Sequence, residues 1–296
     1  MAQDVLNALT LGSLYLLFAL GMSLAWGTIG VLNFAHGSIF MFSAFGAHLA
    51  VQAVPLPMPA MIAIGVGIGA VLSLAVQVLA FEPIQRRAAD AHTAQLQIIV
   101  AGIGIAGIPL AVAQYVTRSV PFGYSAGTFE VTVHDLGPVR VTDVQVVILV
   151  AALGIAGLIA WWLRAARAGL ALRAIGVDAE VAAMMGVDRR RLALLTMAVA
   201  GGLAGLAGVL LTYHLGSIAP ETGDAFLLKA FAAIILGGVG SIAGVVIGAM
   251  VLAGIETLVL VTTSGTWAPA IAFGVLFAML LVRPRGLLGR MEVRRT

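Results

Sequence analysis

Residues 5–81 contain no aspartate, glutamate, lysine or arginine. At about 20 apolar residues per crossing, this run has room for three membrane spans and their turns. Its breaks are readable: Gly27-Thr28-Ile29-Gly30, then Asn33 and His36-Gly37, interrupt the first part, and Pro55, Pro57 and Pro59 mark a second turn. A polar segment over 82–93, carrying Arg86 and Arg87, closes the run. Beyond it the pattern predicts spans near 94–117, 144–163, 192–215, 242–261 and 267–282, with a shorter apolar stretch over 225–239. The expected object is an all-α polytopic membrane protein, a single transmembrane domain over 1–296 built as a bundle of about 8–9 helices, some short or broken.

The polar loops orient this bundle. Residues 118–143 hold Glu130, Asp135 and Asp143 against Arg118 and Arg140, and the alternation across 128–134 suggests a small exposed hairpin strand. Residues 164–191 carry six arginines: Arg164, Arg167, Arg173, Arg189, Arg190 and Arg191. By the positive-inside rule the first loop is expected to be external and the second cytoplasmic, with the basic tail at Arg283, Arg285, Arg290, Arg294 and Arg295 also inside. Counting back from Arg86 and Arg87 puts the N-terminus outside. Only Gln3 and Asp4 precede the first apolar run, without a basic segment, so a cleaved signal peptide is not expected.

Composition fits this picture. The 296 residues are 61% hydrophobic and 10% charged, more apolar surface than a soluble domain can hide. Thirty-six glycines fall partly in small-xxx-small pairs, as at Gly65 and Gly69, Gly201 and Gly205, Ala204 and Gly208, and Gly240, Gly244 and Gly248. Such pairs let helix backbones approach closely. The net charge of +3 is small and its arginines cluster as topology markers, so nucleic acid is not an expected partner. Without cysteine there is no disulfide, thiolate nucleophile or Cys-ligated metal. The histidines match no metal spacing, and neither a P-loop nor a G-x-S-x-G elbow is present. Gly102-Ile-Gly104-Ile-Ala-Gly107 fits G-x-G-x-x-G but lies inside an apolar span, where it reads as helix packing.

Polar residues at membrane depth are candidates for a translocation path. Asn33 and His36 follow a glycine break, and irregular backbone at that depth must be buried in protein or line a watered cavity. They either contact a substrate or cap free backbone groups. Lys229 lies in a short span introduced by Ala219-Pro220-Glu221-Thr222-Gly223-Asp224, and a pair of short, interrupted segments in two halves of a chain points to a transporter site. Lys229 either faces that site or snorkels to the interface. Glu256, the lone acid of its span, is the fourth candidate.

Between the arginines of 164–191 the sequence predicts a short helix with Asp178 as N-cap, Glu180 in the first turn and Gly186 just past its end. Val181, Met184 and Met185 share one face at i, i+3 and i+4. Two turns are not stable alone, so this helix docks either on the floor of the membrane domain or on a partner.

Several blocks stand out together: Gly12-Ser13-Leu14-Tyr15 through Ala19-Leu20-Gly21; Val31-Leu32-Asn33-Phe34-Ala35-His36-Gly37; Arg173-Ala174-Ile175-Gly176 to Ala183-Met184-Met185-Gly186-Val187; Ala204 to Gly208; and Leu228-Lys229-Ala230 through Gly240-Ser241. They resemble the branched-chain amino acid ABC transporter permease family, specifically its LivH-like subunit. The resemblance implies a bacterial inner-membrane subunit that pairs with a second, LivM-like permease, two cytoplasmic ATPase subunits and a periplasmic solute-binding protein, and carries a small polar substrate. It implies a coupling loop at 164–191, with Arg173, Asp178, Glu180, Val181, Met184, Met185 and Gly186 docking on an ATPase. No cofactor is expected on this chain, since ATP would be bound by the partners. Urea, short amides or small carboxylates suit a similar path, and a stand-alone ion-coupled transporter using Glu256 is the reading from another class.

Overall fold

The computed structural model describes residues 1–288 except 31, 125–130, 136, 239, 263–266 and 284–285. α1 (Ala2–Ile29) ends at Gly30, whose positive φ lets its N–H close on the Trp26 carbonyl. α2 (His36–Ala53) follows, then α3 (Met58–Val76), which starts with Pro59 in its first turn, where an absent N–H leaves no helix bond unmade. α3 continues through one π-helical turn (Gln77–Phe81) into α4 (Glu82–Arg87). Asp90 caps α5 (Ala91–Thr117), accepting from the Thr93 N–H at 2.8 Å.

Two small antiparallel ladders follow. β1 (Phe122–Gly123) pairs with β4 (Ser217–Ile218), and β2 (Val133–Asp135) pairs with β3 (Arg140–Thr142), with Val133 opposite Thr142. Of the alternating stretch 128–134, only Val133 and His134 lie in a strand, while Thr128, Phe129 and Glu130 lie outside the described residues. The tail arginines Arg285, Arg290, Arg294 and Arg295 lie outside them as well. A capping box of Thr142 and Gln145 starts α6 (Asp143–Ala165). The remaining helices are α7 (Arg167–Val177), α8 (Ala179–Met184), α9 (Arg189–Leu215), α10 (Thr222–Gly237), α11 (Ile242–Thr262) and α12 (Ala268–Val282).

Among the described residues, six helical stretches are long and apolar enough to cross a membrane: Ala2–Thr28, Met58–Arg87, His92–Thr117, Asp143–Ala165, Arg189–Leu215 and Ile242–Thr262. The structure is thus a mainly helical multi-pass membrane protein, and the expected count of about 8–9 helices, some short or broken, is not confirmed by these six. The helices outside the six are short or more polar. α10 and α12 have 16 and 15 residues, roughly 24 and 22 Å at 1.5 Å per residue against a hydrocarbon core of about 30 Å. α2, at 18 residues, carries His36, His48 and Gln52.

α1 and α9 form the centre and run in opposite directions. Gln3 at the start of α1 exchanges hydrogen bonds with the Arg140 backbone (2.8 and 3.2 Å), and β4, just past the end of α9, pairs with β1 at the same end of the bundle. α3 packs along α9, through Gly65 and Gly69 facing Gly205 and Gly201, and α11 packs along α1, with Gly12 against Met250 and Ala253. A Cβ on Gly69, Gly201 or Gly205 would overlap backbone of the other helix, and one on Gly65 would overlap the Val209 side chain, which is the close approach that small residues permit. α2 packs on α3 as α10 packs on α11. At the start of α2 and of α10, Gly37 and Gly223 lie against each other's carbonyl. The units α1–α3 and α9–α11 are therefore related as two repeats of opposite orientation, about an approximate two-fold axis near Gly37 and Gly223.

Candidate functional site

α2 does not begin at the end of its neighbours. Gly21 of α1 has both the His36 ring and the Ala200 carbonyl of α9 close by, so His36 sits well inside the length of both central helices. By Asn33 the chain is back at that depth. Asn33 makes the turn: its side-chain Oδ1 accepts from the Ala35 N–H at 3.0 Å, and its carbonyl accepts from the His36 N–H at 3.1 Å. The His36 ring lies 4.6 Å from that of Phe18, and its Nε2 donates to the Phe18 carbonyl at 3.3 Å. Both side chains are buried. The capping role read from the sequence for Asn33 is thus present. Among the described residues, however, Asn33 Nδ2 and His36 Nδ1 have no hydrogen-bond partner, which leaves polar capacity at the first turn of α2.

Lys229 and Glu256 come together. α10 and α11 form an antiparallel hairpin in which Gly237 meets Gly244 and Gly248 meets Ala233. This brings Lys229 Nζ to 2.6 Å from Glu256 Oε1. Tyr15 of α1 completes the group, donating its hydroxyl to Glu256 Oε2 at 2.6 Å and accepting from Lys229 Nζ at 2.9 Å. The Lys229 ammonium also stands 5.3 Å from the Tyr15 ring centroid. Lys229 therefore turns inward rather than snorkelling. With two donors on the two oxygens of one carboxylate, the charges are paired where isolated ones would be costly.

Tyr15 was not singled out in the sequence, because an aromatic inside an apolar run has the same hydropathy signature as core. The one available signal is its phenol, which needs a partner when buried. An aromatic cluster joins the two polar groups: Phe226 lies 5.2 Å from Tyr15 and 4.9 Å from Phe40, and Phe18 lies 5.2 Å from Phe40. Asn33 and His36 thus stand on one side of these rings, and Tyr15, Lys229 and Glu256 on the other.

At the arginine-rich end, Asp178 caps α8 by accepting from the Glu180 and Val181 N–H groups, both at 3.0 Å. Gly186 follows with φ +87°. The helix is held to the bundle by Ala182, buried with Ile175 and Leu192. Val181, Met184 and Met185 point away, at 54%, 86% and 81% exposure, so the shared face they form is not packed on the membrane domain. Asp188 then caps α9, accepting from the Arg191 N–H at 3.1 Å, which offsets the unfavourable placement of three arginines at a helix start. No group of three or more potential metal ligands occurs among the described residues.

Comparison with known proteins agrees across nearly the whole chain. Residues 5–282 match the family described as branched-chain amino acid transport system permease component. The chain is 29% identical over 301 residues to the high-affinity branched-chain amino acid transport system permease protein BraD of Pseudomonas aeruginosa, covering 99% of this chain and 97% of that one. It is likewise 29% identical over 300 residues to LivH of Escherichia coli, with the same coverage. A probable LivH of Methanocaldococcus jannaschii is 28% identical over 293 residues, 96% of this chain and 91% of the relative. No solved structure matches it.

Proposed function

This chain belongs to the branched-chain amino acid transport permease family, and from that premise we propose that it is the LivH-like membrane subunit of an ATP-driven importer for branched-chain or other small amino acids. Its relatives carry branched-chain amino acid transport in their names, which supports the substrate class. The reading assigns 118–143 to the outer face, where a solute-binding protein delivers substrate, and 164–191 to the cytoplasmic face. A second permease completes the path, and two ATPase subunits supply the work.

One observation carries the coupling assignment: α8 is capped at both ends yet presents Val181, Met184 and Met185 to solvent. A fixed apolar face of this kind suits a groove on a partner, with Arg173 and Glu180 setting register by charge. Motion of the ATPases would reach α9 directly, since residues 185–188 are all that separate it from α8. In the membrane, an amino acid offers a carboxylate to Lys229 and an ammonium to Glu256, replacing the bond that these two make to each other. Substrate entry would then loosen α10 from α11. The same pairing argues against a stand-alone ion-coupled transporter, because Glu256 already has a resident cation.

The test is Met184→Asp with Met185→Asp in the reconstituted transporter. Two apolar anchors at about 1–2 kcal/mol each predict a loss of substrate-stimulated ATP hydrolysis of at least about tenfold. Both side chains are exposed, so thermal stability of the permease should hold within about 0.5 kcal/mol. Stimulation at the wild-type level would overturn the docking assignment.

A further inference from the structure

We propose that the arginine-rich flank of α4 is a binding site for the phosphate headgroup of an anionic phospholipid in the leaflet at the basic end of the bundle. An open groove of about 420 Å³ lies there, lined by Val78, Glu82, Pro83, Arg86, Arg87 and Arg190. Glu82 Oε1 receives both Arg86 and Arg190, the latter at 2.7 Å, and so pins two guanidinium groups from α4 and α9 at the groove wall. Its other oxygen is buried. Arg87 makes no ion pair among the described residues. Three guanidinium groups against one carboxylate leave the groove cationic, and each arginine retains donors for a phosphate oxygen.

The apolar surroundings select a lipid over a free anion. The stretch Met58–Arg87 has only 28% of its apolar window buried, so much of it faces outward. Val71, Val78 and Leu79 are exposed at 65%, 43% and 77%, and at seven- and eight-residue spacing they form a strip that leads to Arg86 and Arg87. A phospholipid lying on this strip places acyl chain on the valines and leucine and its phosphate in the groove. Basic pockets beside transmembrane helices recognise anionic headgroups by this combination. The site does not depend on which substrate the transporter carries.

The full-length chain, purified in detergent, can be offered phosphatidylglycerol, phosphatidylcholine or inorganic phosphate and examined by native mass spectrometry. Wild type is expected to keep phosphatidylglycerol at collision energies that strip phosphatidylcholine. Arg87→Gln should lower that occupancy about fivefold, and Arg86→Gln with Arg87→Gln about twentyfold, from the attraction each basic side chain contributes near a membrane surface. Arg164→Gln, an exposed arginine at the same end, should leave it unchanged. Arg87 is exposed, so Arg87→Gln should melt as wild type by circular dichroism. Equal retention of the two lipids, unaltered occupancy in Arg87→Gln, or displacement of the lipid by inorganic phosphate would each overturn the proposal.

Discussion

Glu256 sits in an apolar helix because two donors, from α1 and α10, converge on its two oxygens. Neither donor is its neighbour in sequence, so the group exists only once three helices have packed. Removing the carboxylate leaves the Lys229 ammonium without its counter-charge, with only the Tyr15 hydroxyl as acceptor, and breaking a buried pair in this way typically costs about 3–5 kcal/mol. Glu256→Leu, which strands Lys229, is therefore expected to lower stability by that order. Lys229→Met combined with Glu256→Leu should recover most of the loss, since a buried pair replaced by apolar residues is often neutral. Thermal melts followed by tryptophan fluorescence in detergent would check both, and a double variant as unstable as the single would show that the pair is not the energetic unit.

At the scale of elements, the glycines divide by what faces them. Gly69 lies on the Gly201 carbonyl, and a methyl group there forces α3 and α9 apart, whereas Gly67 has nothing within 4 Å. Gly69→Ala should cost about 1–3 kcal/mol by overpacking, and Gly67→Ala should be neutral or add up to about 1 kcal/mol through helix propensity. Equal effects of the two on the melting temperature would contradict the seam. The long spans and the α8 cap were legible from hydropathy, capping residues and glycine position, because those signals are local. The shared small-residue periodicity of Gly65 and Gly69 with Gly201 and Gly205 was legible too, but not that these two pairs face each other. The halved α2 and α10 left only their interruptions in the sequence. Their meeting at Gly37 and Gly223 depends on packing around α1 and α9, which no single stretch encodes. The Lys229–Glu256 pair was hidden for the same reason, although a hairpin turning near Gly240 places them within about one helical turn of facing each other.

Over the whole molecule, the two ends of the bundle are chemically different, and the assigned sidedness follows from that difference. The absence of cysteine makes the chain a clean background for labelling. In intact spheroplasts, Asp135→Cys should react with a membrane-impermeant maleimide, while Met184→Cys, 86% exposed, should react only after permeabilisation. The reverse pattern would invert the topology and move the coupling helix to the outer face. The inward position of Lys229 also constrains how the chain is made. During synthesis α10 reaches the bilayer before α11, so it arrives with a lysine near its centre, a burden of about 2.5–3.5 kcal/mol on membrane partitioning, and with Glu256 still unmade. Tyr15, already in place on α1, is the first acceptor Lys229 can meet. Insertion of α10 alone is therefore expected to be unfavourable, and the α10–α11 pair is expected to insert more readily together than α10 does by itself.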